Sequence, residues 1–206
     1  VTGAVASPGL AQAAEAVEMS RHLFGTENYD AFGCAIELDN GDLMLAGSAN
    51  WGTPEGPNMY VVRTDRNGNM IWEQHFGEPG RFERYWQSDC VQQTPDGNFV
   101  IGMGVGPGPN GGIDSGVLKF DGDGNQLWES VYGGTSTDVA TSVTIAADGG
   151  IYLAGLTYSF NTWRNDMWVT KSAQDGQMPW SKTYGDTCGG GWEGAANLVH
   201  PDDGGC

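Results

Sequence analysis

Hydrophobic residues recur along this chain in short runs that are separated by glycine-rich polar turns. The runs are rich in Val, Ile, Leu, Thr and aromatic residues, which favour strands, and the Asp-Gly or Asn-Gly turns between them favour tight hairpins. No helical periodicity continues past Ala16, so the pattern predicts an all-β fold. The strands predicted in the two clearest stretches are 88–94, 98–105, 115–120 and 126–132, then 140–146, 151–157, 167–171 and 178–184.

The strand pattern repeats with a period of about fifty residues. A Gly-x-x-x-Trp step ends in Trp72, Trp128 and Trp180. An aromatic-Gly pair recurs in the same phase, and its glycines, at 25, 77, 133 and 185, lie 52, 56 and 52 residues apart. Four antiparallel strands in such a period are typical of one blade of a β-propeller. We therefore predict a β-propeller with complete blades over about 25–76, 77–132 and 133–184 and a partial blade over 185–206.

Two flanking segments bear on whether this propeller closes. Residues 18–24 have the pattern of the last strand of a preceding blade, and 192–199 that of the first strand of a following one. The resulting total of about fourteen strands does not make a ring, since propellers use 4–8 blades of four strands. We interpret residues 18–206 as part of a larger propeller; the alternative is a self-contained four-bladed ring with a defective last blade.

The third repeat resembles the secreted bacterial and archaeal β-propeller repeats of the delta-60 and SBBP kind. The residues that carry the resemblance are Gly133, Gly134, Asp138, Ser142, 148–157, Asp166, Lys171, Gly176 and 180–185. The Gly-x-x-x-Trp step is also similar to the tryptophan-docking motif of quinoprotein-like propellers, which implies that Trp72, Trp128 and Trp180 pack blades together rather than bind a quinone. The resemblance extends over nearly the whole chain from Gly25 and implies no particular activity.

The second repeat departs from that pattern in two ways. Gly102 replaces the alanine of an Ala-Gly step, and a Pro- and Gly-rich insertion occupies 107–112. In the first two repeats, Cys34 and Cys90 stand where the third repeat has Ser142.

Composition narrows the function classes. The 206 residues include 34 Gly, 9 Lys or Arg and 26 Asp or Glu, for a formal net charge of −17. This charge argues against binding to nucleic acid or to an anionic membrane surface, because both need clustered Lys and Arg. No apolar run reaches the ~18 residues of a membrane span.

The N-terminal segment 1–14 is small, apolar and uncharged. Its Ala11-Gln12-Ala13 fits the small-x-small cleavage pattern of a secretory signal peptide. We interpret the segment as a signal-peptide remnant, which places the mature protein outside the cell or on its surface; the alternative is a flexible leader.

Aromatic residues in the predicted loops are candidates for ligand binding. Exposed rings on rigid loops stack against sugar rings, and loops carry much of protein function. The alternative is that these rings fold back to cover blade edges. The candidate residues are Trp51, Tyr85, Trp86 and Trp163.

The turn Asp121-Gly-Asp123-Gly-Asn125 resembles the start of a calcium loop. A calcium loop then requires Gly and, six residues later, Glu, where this chain has Gln126 and Tyr132. We therefore interpret the segment as a hairpin turn, with calcium as a weak alternative and no other cofactor expected.

The four cysteines are an even set in a chain expected to be exported, so they predict disulfides. They are Cys34, Cys90, Cys188 and Cys206. Three pairings are possible, and the sequence does not choose among them. The absence of a Cys-x-x-Cys argues against thioredoxin-like redox chemistry and a zinc ribbon.

These observations predict an extracellular repeat module that binds a polysaccharide or another extracellular protein, or that acts as a scaffold. One alternative is part of a secreted propeller enzyme that acts on glycans, for which we name no catalytic residue. The other is a structural component of a surface layer or sheath that self-assembles.

Overall fold

A computed structural model describes residues 21–54, 56–84, 91–160, 165–178 and 180–185. All regular structure in these ranges is β-strand, as the sequence predicts. The strands are β1 (Tyr29–Glu37), β2 (Leu43–Trp51), β3 (Asn58–Thr64), β4 (Met70–Phe76), β5 (Phe82–Arg84), β6 (Val91–Gln93), β7 (Phe99–Gly106), β8 (Asp114–Phe120), β9 (Gln126–Tyr132), β10 (Asp138–Ile145), β11 (Ile151–Thr157), β12 (Asp166–Ser172) and β13 (Trp180–Tyr184).

The strands form three antiparallel sheets in chain order. The first sheet is β1-β2-β3-β4, the second is β5 and β6 followed by β7-β8-β9, and the third is β10-β11-β12-β13. In the second sheet both short strands pair with β7: β5 lies opposite 104–106 and β6 opposite 99–101. The predicted strand at 88–94 is therefore observed in part as β6, and β5 is a strand that the sequence did not predict.

The strand predicted over 18–24 is wrong across its described part, since residues 21–26 form no strand. A strand needs a hydrogen-bonded neighbour, and no described strand pairs with this segment. His22 instead packs on the turn glycine Gly68, where a β-carbon would lie 2.7 Å from the imidazole. The segments 1–14, 192–199 and most of the partial blade at 185–206 lie outside the described residues.

The hydrophobic core lies between successive sheets. One cluster joins the first and second sheets and includes Met44, Val61, Ile101, Leu118 and Phe120. A second cluster joins the second and third sheets and includes Val100, Val117, Val143, Leu153 and Trp168. Each sheet thus buries a face against its neighbour, and the strands β7 and β8 of the middle sheet are buried along almost their whole length.

A tryptophan and a glycine interlock at each of these junctions. The Trp72 indole N–H donates to the carbonyl of Gly122 at 3.0 Å, in the turn before β9. The Trp128 indole N–H donates to the carbonyl of Gln174 at 3.1 Å, in the turn before β13. In the second junction a β-carbon on Gly176 would lie 3.0 Å from the Trp128 ring, so the glycine lets the ring lie flat on the turn. The Gly-x-x-x-Trp repeat therefore pairs the tryptophan of one sheet with the glycine of the next.

The two ends of the strands differ in their connections. One end carries tight turns that close with backbone hydrogen bonds, as at 121–125 and 173–177. The other end carries the longer connections 52–57, 107–113 and 158–165. We call this second end the loop end.

Candidate functional site

The loop end is built on the repeated aromatic-Gly pairs. The glycines at 77, 133 and 185 face the side chains that begin β3, β8 and β12, whereas Gly25 faces Asp30 of β1. A β-carbon on Gly77 would lie 2.7 Å from Asn58 Oδ1. At Gly133 a β-carbon would collide with the Asp114 carboxylate. These glycines recur because only a residue without a side chain leaves room for that polar group.

Trp51 and Arg84 form an aromatic–cation cluster at this end. Trp51 closes β2, and the guanidinium carbon of Arg84 lies 5.6 Å from the centroid of its ring. The same carbon lies 5.1 Å from the ring of Phe82. Burial lowers the pKa of Arg84 from its ordinary value, but a guanidinium remains charged at neutral pH. The cluster therefore places a cation against two aromatic rings in a strongly acidic protein.

The backbone beside Trp51 is held in an uncommon conformation. Asn50 has a φ of 64°, in the left-handed region that asparagine tolerates better than most residues. Its N–H donates to Asp30 Oδ1 at 2.9 Å, and its side-chain oxygen accepts from Asn28 Nδ2 at 3.0 Å. Burial raises the pKa of Asp30, but hydrogen bonds from the Asn50 and Thr26 backbones outweigh it and the net pKa is lowered. An ionised Asp30 thus fixes the corner from which Trp51 projects.

The junction between the first and second sheets contains a buried, paired carboxylate. The Glu83 N–H donates to the Pro57 carbonyl at 2.9 Å, and the Glu83 side chain is 1% exposed. Arg81 pairs with this carboxylate and also with Glu129, at 2.6 Å. Burial raises the pKa of Glu83 by more than the Arg81 hydrogen bond and charge lower it.

The junction between the second and third sheets contains two buried carboxyl groups. The Asp138 N–H donates to the Ile113 carbonyl at 2.6 Å, and both Asp138 and Asp114 are 0% exposed. Asp138 accepts hydrogen bonds from the Thr157 hydroxyl, the Ser159 hydroxyl and the backbone of residue 134. Neither oxygen of Asp114 has a hydrogen-bond partner among the described residues. Burial, assisted by the charge of Asp138, raises the pKa of Asp114 to about 7.

A carboxyl pair also bears on the enzyme alternative. Glycoside hydrolysis needs two carboxyl groups that reach the scissile bond. Asp114 and Asp138 are enclosed between sheets, so their position does not provide that arrangement. Sequence analysis named neither as a site residue, and it used Asp138 only as one of the residues that carry the propeller-repeat resemblance.

The Asp121 turn is a self-contained hairpin. Asp121 Oδ1 accepts from the N–H groups of Asp123 and Asn125 at 2.9 Å, and Oδ2 accepts from Asn125 Nδ2 at 3.0 Å. These hydrogen bonds lower the pKa of Asp121. The carboxylate thus serves the turn, as the hairpin interpretation expects, and calcium at this turn stays the alternative interpretation. No cluster of three or more His, Cys, Asp or Glu suited to a metal occurs in the described ranges.

Of the remaining sequence candidates, Trp180 and Cys34 lie within the described residues and the others lie outside them. Trp180 lies on β13 with its ring centroid 5.9 Å from that of Tyr152, on a sheet that no further described sheet follows. Six candidates lie outside the described residues: Tyr85, Trp86, Trp163, Cys90, Cys188 and Cys206. The structure brings Trp51 together with Phe82 and Arg84, which sequence analysis missed because they belong to the unpredicted β5.

No family model matches the chain, and no curated protein matches it. A solved structure titled "Crystal structure of the eukaryotic initiation factor" is similar with a TM-score of 0.45 at 10% sequence identity. The match covers 77% of this chain, which spans about a third (33%) of that one. Among the described residues, no helix has the length and apolar character needed to cross a membrane.

Proposed function

We propose that the chain is part of a secreted or cell-surface β-propeller of the delta-60 and SBBP kind and acts as a binding module. Three successive antiparallel sheets of four or five strands in chain order support a propeller, as do the repeated tryptophan–glycine junctions. The even set of four cysteines supports export, because structural disulfides persist in oxidising compartments.

The class of ligand is inferred from the aromatic–cation cluster at the loop end. Trp51 offers a ring that is only partly buried, and the Arg84 guanidinium lies beside it. Tyr85 and Trp86 follow Arg84 directly in the chain, so the same segment contributes two more aromatic residues. Sugar rings present apolar faces and hydroxyl groups, which suit stacking on an indole and hydrogen bonding to a guanidinium. The ligand that fits this cluster best is a polysaccharide.

The test is retention of the purified chain on a panel of insoluble polysaccharides. Trp51→Ala is expected to weaken retention at least tenfold, which corresponds to about 1.4 kcal/mol of binding free energy. The matched control is Leu127→Ala, which removes a 49% exposed apolar side chain from β9. Unchanged retention of Trp51→Ala on every polysaccharide that the parent binds, or a parent that binds none, contradicts the proposal.

A further inference from the structure

The two junctions between sheets are built alike, which makes their chemistry comparable. In each junction, a backbone N–H of the following sheet donates to a carbonyl of the preceding sheet. The Glu83 N–H donates to the carbonyl of Pro57, just before β3, and the Asp138 N–H donates to the carbonyl of Ile113, just before β8. The next residue along the chain, Asn58 or Asp114, faces the glycine of the aromatic-Gly pair. Glu83 and Asp138 therefore occupy equivalent places.

The junctions differ in charge. The first holds one carboxylate, Glu83, beside a neutral Asn58, and the Arg81 guanidinium neutralises it. The second holds two carboxyl groups, and Ser136 stands two residues before Asp138, where Arg81 stands before Glu83. No ion pair within the described ranges reaches either group of the second junction. A positive charge is present in one junction and is missing from its equivalent.

The missing charge is most evident at Asp114. Its side chain is fully buried, and both oxygens lack a partner among the described residues. An unpaired buried carboxylate is very costly, and native proteins satisfy such groups by pairing or by coordinating a metal. The neighbouring Asp138 is already fixed by three hydrogen bonds, so it presents a second carboxylate in a defined orientation.

We propose that Asp114 and Asp138 bind a divalent cation of the Ca²⁺ class between the second and third sheets. Carboxylate oxygens are the ligands that Ca²⁺ prefers, and this ion takes further hydroxyl and backbone carbonyl oxygens in irregular geometry. The hydroxyl of Ser159 contacts Asp138, and Gly108 of the 107–113 connection lies against the Asp114 carboxylate. Only two carboxylates contribute, so we expect an affinity of about 10⁻⁴–10⁻³ M, as in extracellular calcium modules.

The site differs from the Asp121 turn, and this provides a matched control. Both residues are aspartates of the second sheet and its turns, but Asp121 uses its oxygens within its own hairpin. Asp114→Asn places at the second junction the residue type that the first junction has at position 58, so we expect this variant to fold.

The experiment is thermal unfolding of the full chain at about pH 7.5, first with EDTA and then in a CaCl₂ series to 10 mM at constant ionic strength. The parent is expected to gain about 3–6 °C in Tm in a saturable manner. Asp114→Asn is expected to lose this gain, whereas Asp121→Asn keeps it. Isothermal titration with CaCl₂ is expected to show one site in the parent and in Asp121→Asn.

Three results would overturn the proposal. A parent whose Tm does not respond to CaCl₂ has no such site. Loss of the response in Asp121→Asn alone would move the site to the turn. Retention of the response in a folded Asp114→Asn would exclude Asp114 as a ligand.

Discussion

In the metal-free protein, the unpaired carboxyl of Asp114 predicts an unusual dependence of stability on pH. The folded protein raises the pKa of this group from 3.8 to about 7, because the side chain is buried near Asp138. Between these two pKa values the folded state holds a proton that the unfolded chain has released. The contribution of protonated Asp114 to the free energy of unfolding is therefore fully present below about pH 4 and is lost as pH rises to 7.

The magnitude follows from the difference between the two pKa values. One pKa unit corresponds to about 1.4 kcal/mol, so the span from 3.8 to about 7 is worth on the order of 4 kcal/mol. Asp114→Asn removes the titration and keeps the shape of the side chain. With EDTA present, we expect the variant to gain up to about 4 kcal/mol over the parent between about pH 4.5 and pH 8.

The assay is urea unfolding of parent and variant across this pH range, followed by tryptophan fluorescence. Asp121→Asn is the control, because the hydrogen bonds of its own turn lower the pKa of that carboxyl, so this variant is expected to show no gain over the parent in this pH range. A free-energy difference between parent and Asp114→Asn that does not change with pH would refute the reasoning, since an ordinary carboxylate pKa would then apply.

Three further predictions concern the scaffold. Gly155→Ala would drive a β-carbon into the carbonyl of Val139, so we expect urea unfolding to show a loss of about 3 kcal/mol or more in the free energy of unfolding. Gly97→Ala is the matched control, with an expected loss of about 1 kcal/mol, because Gly97 has a positive φ but open surroundings. Trp128→Phe removes a hydrogen bond and ring area between sheets and is expected to cost about 2 kcal/mol by the same assay; an unchanged midpoint would argue against the interlock. Asp96→Ala leaves the 6% exposed side chain of Lys119 without its carboxylate, and we expect a loss of about 1–2 kcal/mol, reduced from a fully buried pair because Asp96 is 44% exposed. A Tm unaffected by Asp96→Ala would show that water replaces the carboxylate.

Much of the fold was predictable because strand and turn signals are local. The Asp121 turn, with its glycine at a φ of 84°, is encoded within five residues, and the strands around it, β8 and β9, match their predicted bounds to one residue. The strand β5 was missed because it has three residues and its identity depends on pairing with the far end of β7. The failure at 18–24 has the same origin, since a strand pattern without a neighbour does not form a strand.

The candidate sites were less predictable because they depend on contacts between distant segments. Trp51 was recognised from its loop context, but its cation, Arg84, comes from the following sheet. The burial of Asp114 depends on glycines 108 and 133, which lie on either side of β8 and β9 in the chain. No local pattern marks an aspartate as unpaired, since pairing is a property of the assembled junction.

The interlock of tryptophan and glycine has a consequence for how such chains grow. A repeat that begins at its aromatic-Gly pair contains one tryptophan, which packs on the next repeat, and one turn glycine, which accepts the tryptophan of the preceding repeat. Duplicating or deleting one whole repeat would therefore regenerate the same tryptophan–glycine junction between every pair of successive sheets, without compensating changes elsewhere. The number of units is then free to change during evolution.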